Sequence, residues 1–167
     1  MKPHRWILLA EDNPHDAELT IRALTVGPPS VEVLLTRDGQ EALDCLFRRE
    51  KFRDAPAELP TLLLLDLKMP RVDGLQVLEQ VKNDHRFRLV PVVIFSSSRE
   101  ETDLLRSYEL GANAFIVKPL ASEKYQTTLG LIRKFWVELN ELPLRPRVQP
   151  EAEDGQQTAN PSAAVHP

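Results

Sequence analysis

Five residues able to do chemistry stand directly after short apolar runs. Glu11 and Asp12 follow "WILLA" (6–10), Asp66 follows "LLLL" (62–65), Ser96 follows "VVIF" (92–95) and Lys118 follows "FIV" (115–117). If these runs are strands of a parallel sheet, the polar residues collect where ligands bind in such sheets, beyond the carboxyl ends. With the first and third strands adjacent, three carboxylates converge. Like charges that close raise one another's pKa unless something neutralises them. A hard divalent cation suits all-oxygen ligands, and Mg²⁺ typically keeps several waters beside one or two carboxylates. Lys118 supplies a compact positive charge from the other side. Taken singly these signals are weak: an "ED" pair after a strand is most often a helix start, a lone Asp a turn residue, and a Lys-Pro pair means little. Together and in order they are hard to obtain by chance.

The elements that must position these residues are legible as well. A further run, "VEVLL" (31–35), completes five, and near-continuous aliphatic runs read as strands buried on both faces. Helical patterns lie between them. The first has Asn13 as cap, Pro14 at its first position, Asp16 and Glu18 in its first turn, and Ala17, Ile21 and Leu24 inward. The second, 39–50, turns Ala42, Leu43, Leu46 and Phe47 inward. The third follows Asp73 and Gly74, with Leu75, Leu78 and Val81. The fourth runs from Arg99 to Gly111, a left-handed cap. The fifth runs from Ser122 to Leu142. Five strand–helix units predict an α/β fold, a doubly wound five-stranded parallel sheet with helices on both faces, in the flavodoxin-like order 2-1-3-4-5.

"LLAEDNPHDAEL", "LLLLDLKMPRVDGLQVL", "VPVVIFSSS" and "GANAFIVKPL" together resemble the four signatures of response-regulator receiver domains. The resemblance covers residues 5 to about 140. It implies that Asp66 accepts a phosphoryl group from a sensor histidine kinase. It also implies that Glu11 and Asp12 form an acidic pocket holding Mg²⁺ with Asp66 and the backbone carbonyl of Lys68. Ser96 matches the hydroxyl residue that turns toward the phosphoryl group, Phe115 the aromatic switch and Lys118 the lysine contacting phosphoryl oxygen. The bond to Pro119 resembles one usually cis in the family. Lys68 and Ser98 flank the attack line of water and are expected to tune dephosphorylation. The pattern departs from the commonest one where Glu11 replaces Asp, Ser96 replaces Thr and Phe115 replaces Tyr.

The output surface is less sharply marked. In the last helix Tyr125, Leu129, Ile132, Trp136 and Leu139 space as one core-facing stripe. Leu131, Phe135 and Leu142 widen the apolar face, either to cover more core or as a dimer surface. Glu100, Glu101, Asp103 and Arg106 are expected at its rim. The long loop "EKFRDAPAELP" (50–60) and the "KFW" ending resemble single-domain regulators paired with phytochrome-type histidine kinases. That implies a homodimer built on the fourth helix, fifth strand and fifth helix.

Composition narrows the alternatives. A formal net charge of −4 argues against a general nucleic-acid footprint. The apolar runs fall short of the ~20 residues of a membrane span. No signal peptide is recognisable, so a cytoplasmic location is expected. Cys45 reads as a small buried hydrophobe, and His4, His15, His85 and His166 show no metal-ligand spacing. Walker, GxGxxG, GxSxG and CxxC motifs are absent. An FMN carrier of the same fold would need a Ser/Thr/Gly-rich phosphate loop after the first strand, where this chain has acidic "EDNPHD". A haloacid-dehalogenase-type phosphatase carries a second Asp where Lys68 stands. A purely structural adaptor remains a rival if no kinase phosphorylates Asp66. The domain is predicted to span 1–142. Residues 143–167, with five prolines and no aromatic residue, are expected to form a disordered tail.

Overall fold

The computed structural model describes residues 4–143 and 147–148. Five strands, β1 (Trp6–Ala10), β2 (Glu32–Thr36), β3 (Leu62–Leu65), β4 (Val92–Ser96) and β5 (Ala114–Val117), form one parallel sheet in the expected order, β2-β1-β3-β4-β5. Five α-helices alternate with them: α1 (Pro14–Thr25), α2 (Gly39–Phe47), α3 (Gly74–Asn83), α4 (Glu101–Glu109) and α5 (Ser122–Arg133).

The period-2 alternation of strands divides the core into two layers. Leu8, Leu63, Leu65 and Ile94 face one way, onto Ala42, Leu43, Leu46, Val77 and Leu78 of α2 and α3. Ile7, Leu9, Leu62, Leu64 and Phe95 face the other, onto Leu24 of α1 and Tyr125, Leu129 and Ile132 of α5. All four leucines of β3 are fully buried. Full burial of each such side chain contributes roughly 1.5–3 kcal/mol, so this strand is among the best anchored parts of the fold.

Local signals fix the helix starts. Asn13 Oδ1 accepts the N–H groups of His15 and Asp16, at 2.9 and 3.1 Å. Asp73 and Gln76 form a reciprocal capping box at α3. Gly74 is required by close approach: a Cβ there would meet the Asp66 carbonyl oxygen at 2.2 Å. Gly111 has the expected left-handed φ, +97°.

The end of the last helix differs from expectation. The α-helix stops at Arg133 and continues as π-helix over Lys134–Leu139. The wider turn rotates the face, so Val137 is fully buried while Leu139, expected in the core stripe, is 62% exposed. Leu142 is not on a helix at all; it lies half-buried in the segment that follows. α4 is the most weakly buried helix, with only Ser107 inside. The cis peptide among the described residues is Pro28–Pro29, so the bond to Pro119 is trans.

Two residues assigned to the disordered tail pack instead. Val148 is buried and donates its N–H to the Ala57 carbonyl at 2.8 Å, and Arg147 bridges Glu58. An isolated valine carries no periodicity for a sequence reading to detect, yet it fills an apolar gap under the α2–β3 loop. Residues 144–146 and 149–167 of that expected tail lie outside the described residues.

Candidate functional site

The ladder hydrogen bonds run one residue past the strands and set the site residues side by side. The Glu11 N–H donates to the Thr36 carbonyl at 3.0 Å, the Asp66 N–H to the Ala10 carbonyl at 3.1 Å, and the Lys118 N–H to the Ser96 carbonyl at 2.8 Å. Three strands thus deliver two carboxylates and an ammonium to one spot, with Glu11, Asp66 and Lys118 all buried.

Lys118 Nζ donates to Glu11 Oε2 at 2.6 Å, Asp16 Oδ2 at 3.0 Å and Asp66 Oδ2 at 3.1 Å. Burial by itself disfavours the ammonium, but these carboxylates outweigh it and hold the Lys118 pKa above its ordinary value. Burial pushes the Glu11 carboxyl up to about 7; the Lys118 bond and charge oppose that shift, and Asp66 adds to it. One lysine therefore neutralises only part of the acidic cluster. Glu11, Asp12 and Asp66 each offer a carboxylate oxygen within 4.8 Å of the others, with Asp12 exposed at the mouth. An all-oxygen set with one solvent-facing member fits a hard divalent cation that retains waters.

The sequence reading missed Asp16 as a member of the site. It treated Asp16 as a helix-start charge, yet its side chain reaches Lys118. The available signal was its place in the first turn of the helix that leaves the acidic end of β1. Ser96 is fully buried, and its Oγ accepts the Ser98 N–H at 3.2 Å. Phe115 is half-buried on β5 against the α2/α3 layer. The Lys68 N–H points at Asp66 Oδ1, 3.4 Å away. Asp103 is a correction. Expected at an outer rim, its side chain is only 14% exposed, and its Oδ2 takes the Ser98 hydroxyl at 2.5 Å and lies 3.5 Å from Lys68 Nζ. It is therefore spent inward, while Arg106 pairs with Glu109.

The family model of the response regulator receiver domain matches residues 7–129. The chain belongs to that family. The response regulator Rcp1 of Synechocystis sp. is 33% identical over 141 residues, 84% of this chain and 95% of Rcp1. A crystal structure of Rcp1 in its Mn(2+)-bound form superposes with TM-score 0.79, covering 84% of this chain and 99% of that one. The phosphorylated cyanobacterial phytochrome response regulator RcpA is 35% identical, with TM-score 0.81 over 85% of this chain and all of RcpA. The bacteriophytochrome response regulator AtBRR is 49% identical, with TM-score 0.65 over 78% of this chain and 92% of that one. This receiver is accordingly a phosphoacceptor of two-component signalling, a system in which receivers work with histidine kinases. Its acidic cluster suits a divalent metal. Among the described residues no helix is long and apolar enough to cross a membrane.

Proposed function

We propose that Asp66 is the phosphoacceptor. The observation that carries this reading is the Lys118 ammonium bonded to both Glu11 and Asp66 beside a three-carboxylate cluster. An Asp66 carboxylate oxygen attacks phosphorus of the kinase phosphohistidine, the P–N bond breaks, and the imidazole leaves with a proton from solvent. Glu11, Asp12, Asp66 and the Lys68 carbonyl would hold Mg²⁺, which would supply neutralisation of charge at the phosphoryl oxygens. Lys118 exchanges part of its carboxylate bonding for a phosphoryl oxygen. β3 contributes rigidity, since the transfer depends chiefly on positioning and charge neutralisation.

Ser96 is read as the switch hydroxyl. To reach the phosphoryl group it must give up its bond from the Ser98 N–H, a motion that frees space for Phe115. With no hydroxyl on Phe115, its two positions differ by packing alone. Ser98 and Lys68 stand beside the water that later hydrolyses the acyl phosphate, so slow autodephosphorylation belongs to this reading. A cytoplasmic location, where sensor kinases present their phosphohistidines, belongs to it too.

The names of RcpA and AtBRR support a phytochrome-type kinase as partner. The exposed apolar side chains Leu104, Leu105, Tyr108, Leu131 and Phe135 support a homodimer through α4, β5 and α5. The Phe135 ring meets Trp136 edge-on at 4.9 Å and presents a firm surface rather than a loose side chain. Leu142, beyond the helix, is not part of that face.

The test is labelling by acetyl phosphate or by a phosphorylated kinase. Asp66→Asn abolishes it, and chelation or Asp12→Ala suppresses it by at least about tenfold. Undiminished labelling of Asp66→Asn contradicts the assignment, and undiminished transfer in excess chelator contradicts the role of the metal.

A further inference from the structure

We propose that Asp103, in the first turn of α4, is a positioning residue that holds the Lys68 ammonium away from the phosphoacceptor and keeps the approach of water to the phosphoryl group open. The proposal rests on the reading of Asp66 as phosphoacceptor. Asp103 Oδ2 carries both partners, the Ser98 hydroxyl at 2.5 Å and Lys68 Nζ at 3.5 Å. The anchor is firm. The Asp103 carbonyl accepts the hydroxyl of Ser107, the residue that α4 buries, at 2.7 Å. The Ser98 hydroxyl oxygen also accepts the Glu100 N–H at 3.3 Å.

Lys68 is the mobile member. Its backbone N–H lies against Asp66 Oδ1, while its side chain is 63% exposed on a flexible four-carbon stem. The ammonium therefore has two negative destinations, Asp103 and the acidic site. Before phosphorylation Lys118 already serves the site. A phosphoryl group adds charge of about −1.5 to −2, and the attraction of the site for Lys68 grows. Asp103 is the counterweight. Without it, the ammonium settles on the solvent side of the phosphoryl oxygens, where a hydrolytic water has to enter. In that hydrolysis the water oxygen attacks phosphorus, and the P–O bond to Asp66 breaks. Inorganic phosphate leaves, the Asp66 carboxylate is restored, and the water proton passes to solvent.

Asp103→Asn keeps the side-chain size and an acceptor for the Ser98 hydroxyl but removes the charge. In full-length protein labelled with radioactive acetyl phosphate, the phosphorylated lifetime lengthens about threefold or more, the scale of one partly exposed ion pair. The conservative Asp103→Glu retains the wild-type lifetime. In a Lys68→Met background Asp103→Asn has no further effect, which a merely structural role of Asp103 would not reproduce. A thermal melt of Asp103→Asn that matches the wild type guards against a folding defect at α4. An unchanged or shortened lifetime in Asp103→Asn overturns the proposal, as does an equal effect in the Lys68→Met background. Label that persists in Asp66→Asn identifies failure of the phosphoacceptor reading instead.

Discussion

The Lys118 ammonium lies 3.1 Å from Asp66 Oδ2 although 52 residues separate them in the chain. The contact joins β5 to β3 past the intervening β4, and the same nitrogen reaches Glu11 beyond β1. A buried ammonium shared by carboxylates from different strands ties the stability of the domain to the charge of its site.

Lys118→Met leaves those carboxylates without their common cation. Removing one partner of a buried ion pair costs ~3–5 kcal/mol, so urea unfolding in chelator shifts to markedly lower midpoint. Millimolar Mg²⁺ recovers much of the loss by binding the folded state. Equal midpoints with and without Mg²⁺ in this variant would contradict the metal reading of the cluster.

Gly74→Ala places a Cβ 2.2 Å from the Asp66 carbonyl oxygen. The atom met is backbone, so α3 has to retreat from β3. Overpacking of this kind costs ~1–3 kcal/mol, and the loop carrying Asp66 moves with it. Both a lower melting temperature and slower phosphotransfer are expected. Wild-type values for both would show that the loop is more compliant than its packing implies.

Phe135→Glu places a charge on the outer face of the last helix, where Phe135 is half exposed. Sedimentation is expected to show monomer where the wild type is dimeric, with phosphorylation intact because the site lies at the far end of the sheet. A stable interface buries roughly 1,000 Å² or more, so α4 and β5 must contribute. A wild-type monomer in both phosphorylation states rules the dimer out, and a dimer surviving Phe135→Glu rules out this face.

Cys45 is buried in α2, and burial pushes its thiol up to about 12 from an ordinary value of 9.0. The native protein is expected to resist thiol reagents at neutral pH and to react fully in urea. The folded state keeps the proton that the unfolded chain loses above pH 9.0. This contribution to stability is therefore complete below that value and is lost as pH rises through about 12. Relative to Cys45→Ala, wild-type stability falls more steeply as pH rises from 9.0 towards about 12. Parallel pH curves would contradict this.

Much of the molecule was legible without coordinates because it depends on local pattern. Four leucines ending in Asp66, the "ED" after β1, the serine after β4 and the lysine after β5 each state their own strand and their own place at its end. Caps at Asn13 and Asp73 and the left-handed Gly111 are local as well. Strand order follows from alternation and from the handedness of crossovers, and the acidic cluster follows from strand order. The tertiary structure decided what depends on where side chains of different elements meet. Asp16 and Asp103 look like ordinary first-turn charges, and only packing sends one to Lys118 and the other to Ser98 and Lys68. The π-turn over Lys134–Leu139 leaves no period in the sequence, yet it exchanges Leu139 for Val137 in the core. Hydrophobic periodicity reports the face a regular helix would bury. It carries no information about a change of helix type, or about which of several carboxylates a distant lysine will choose.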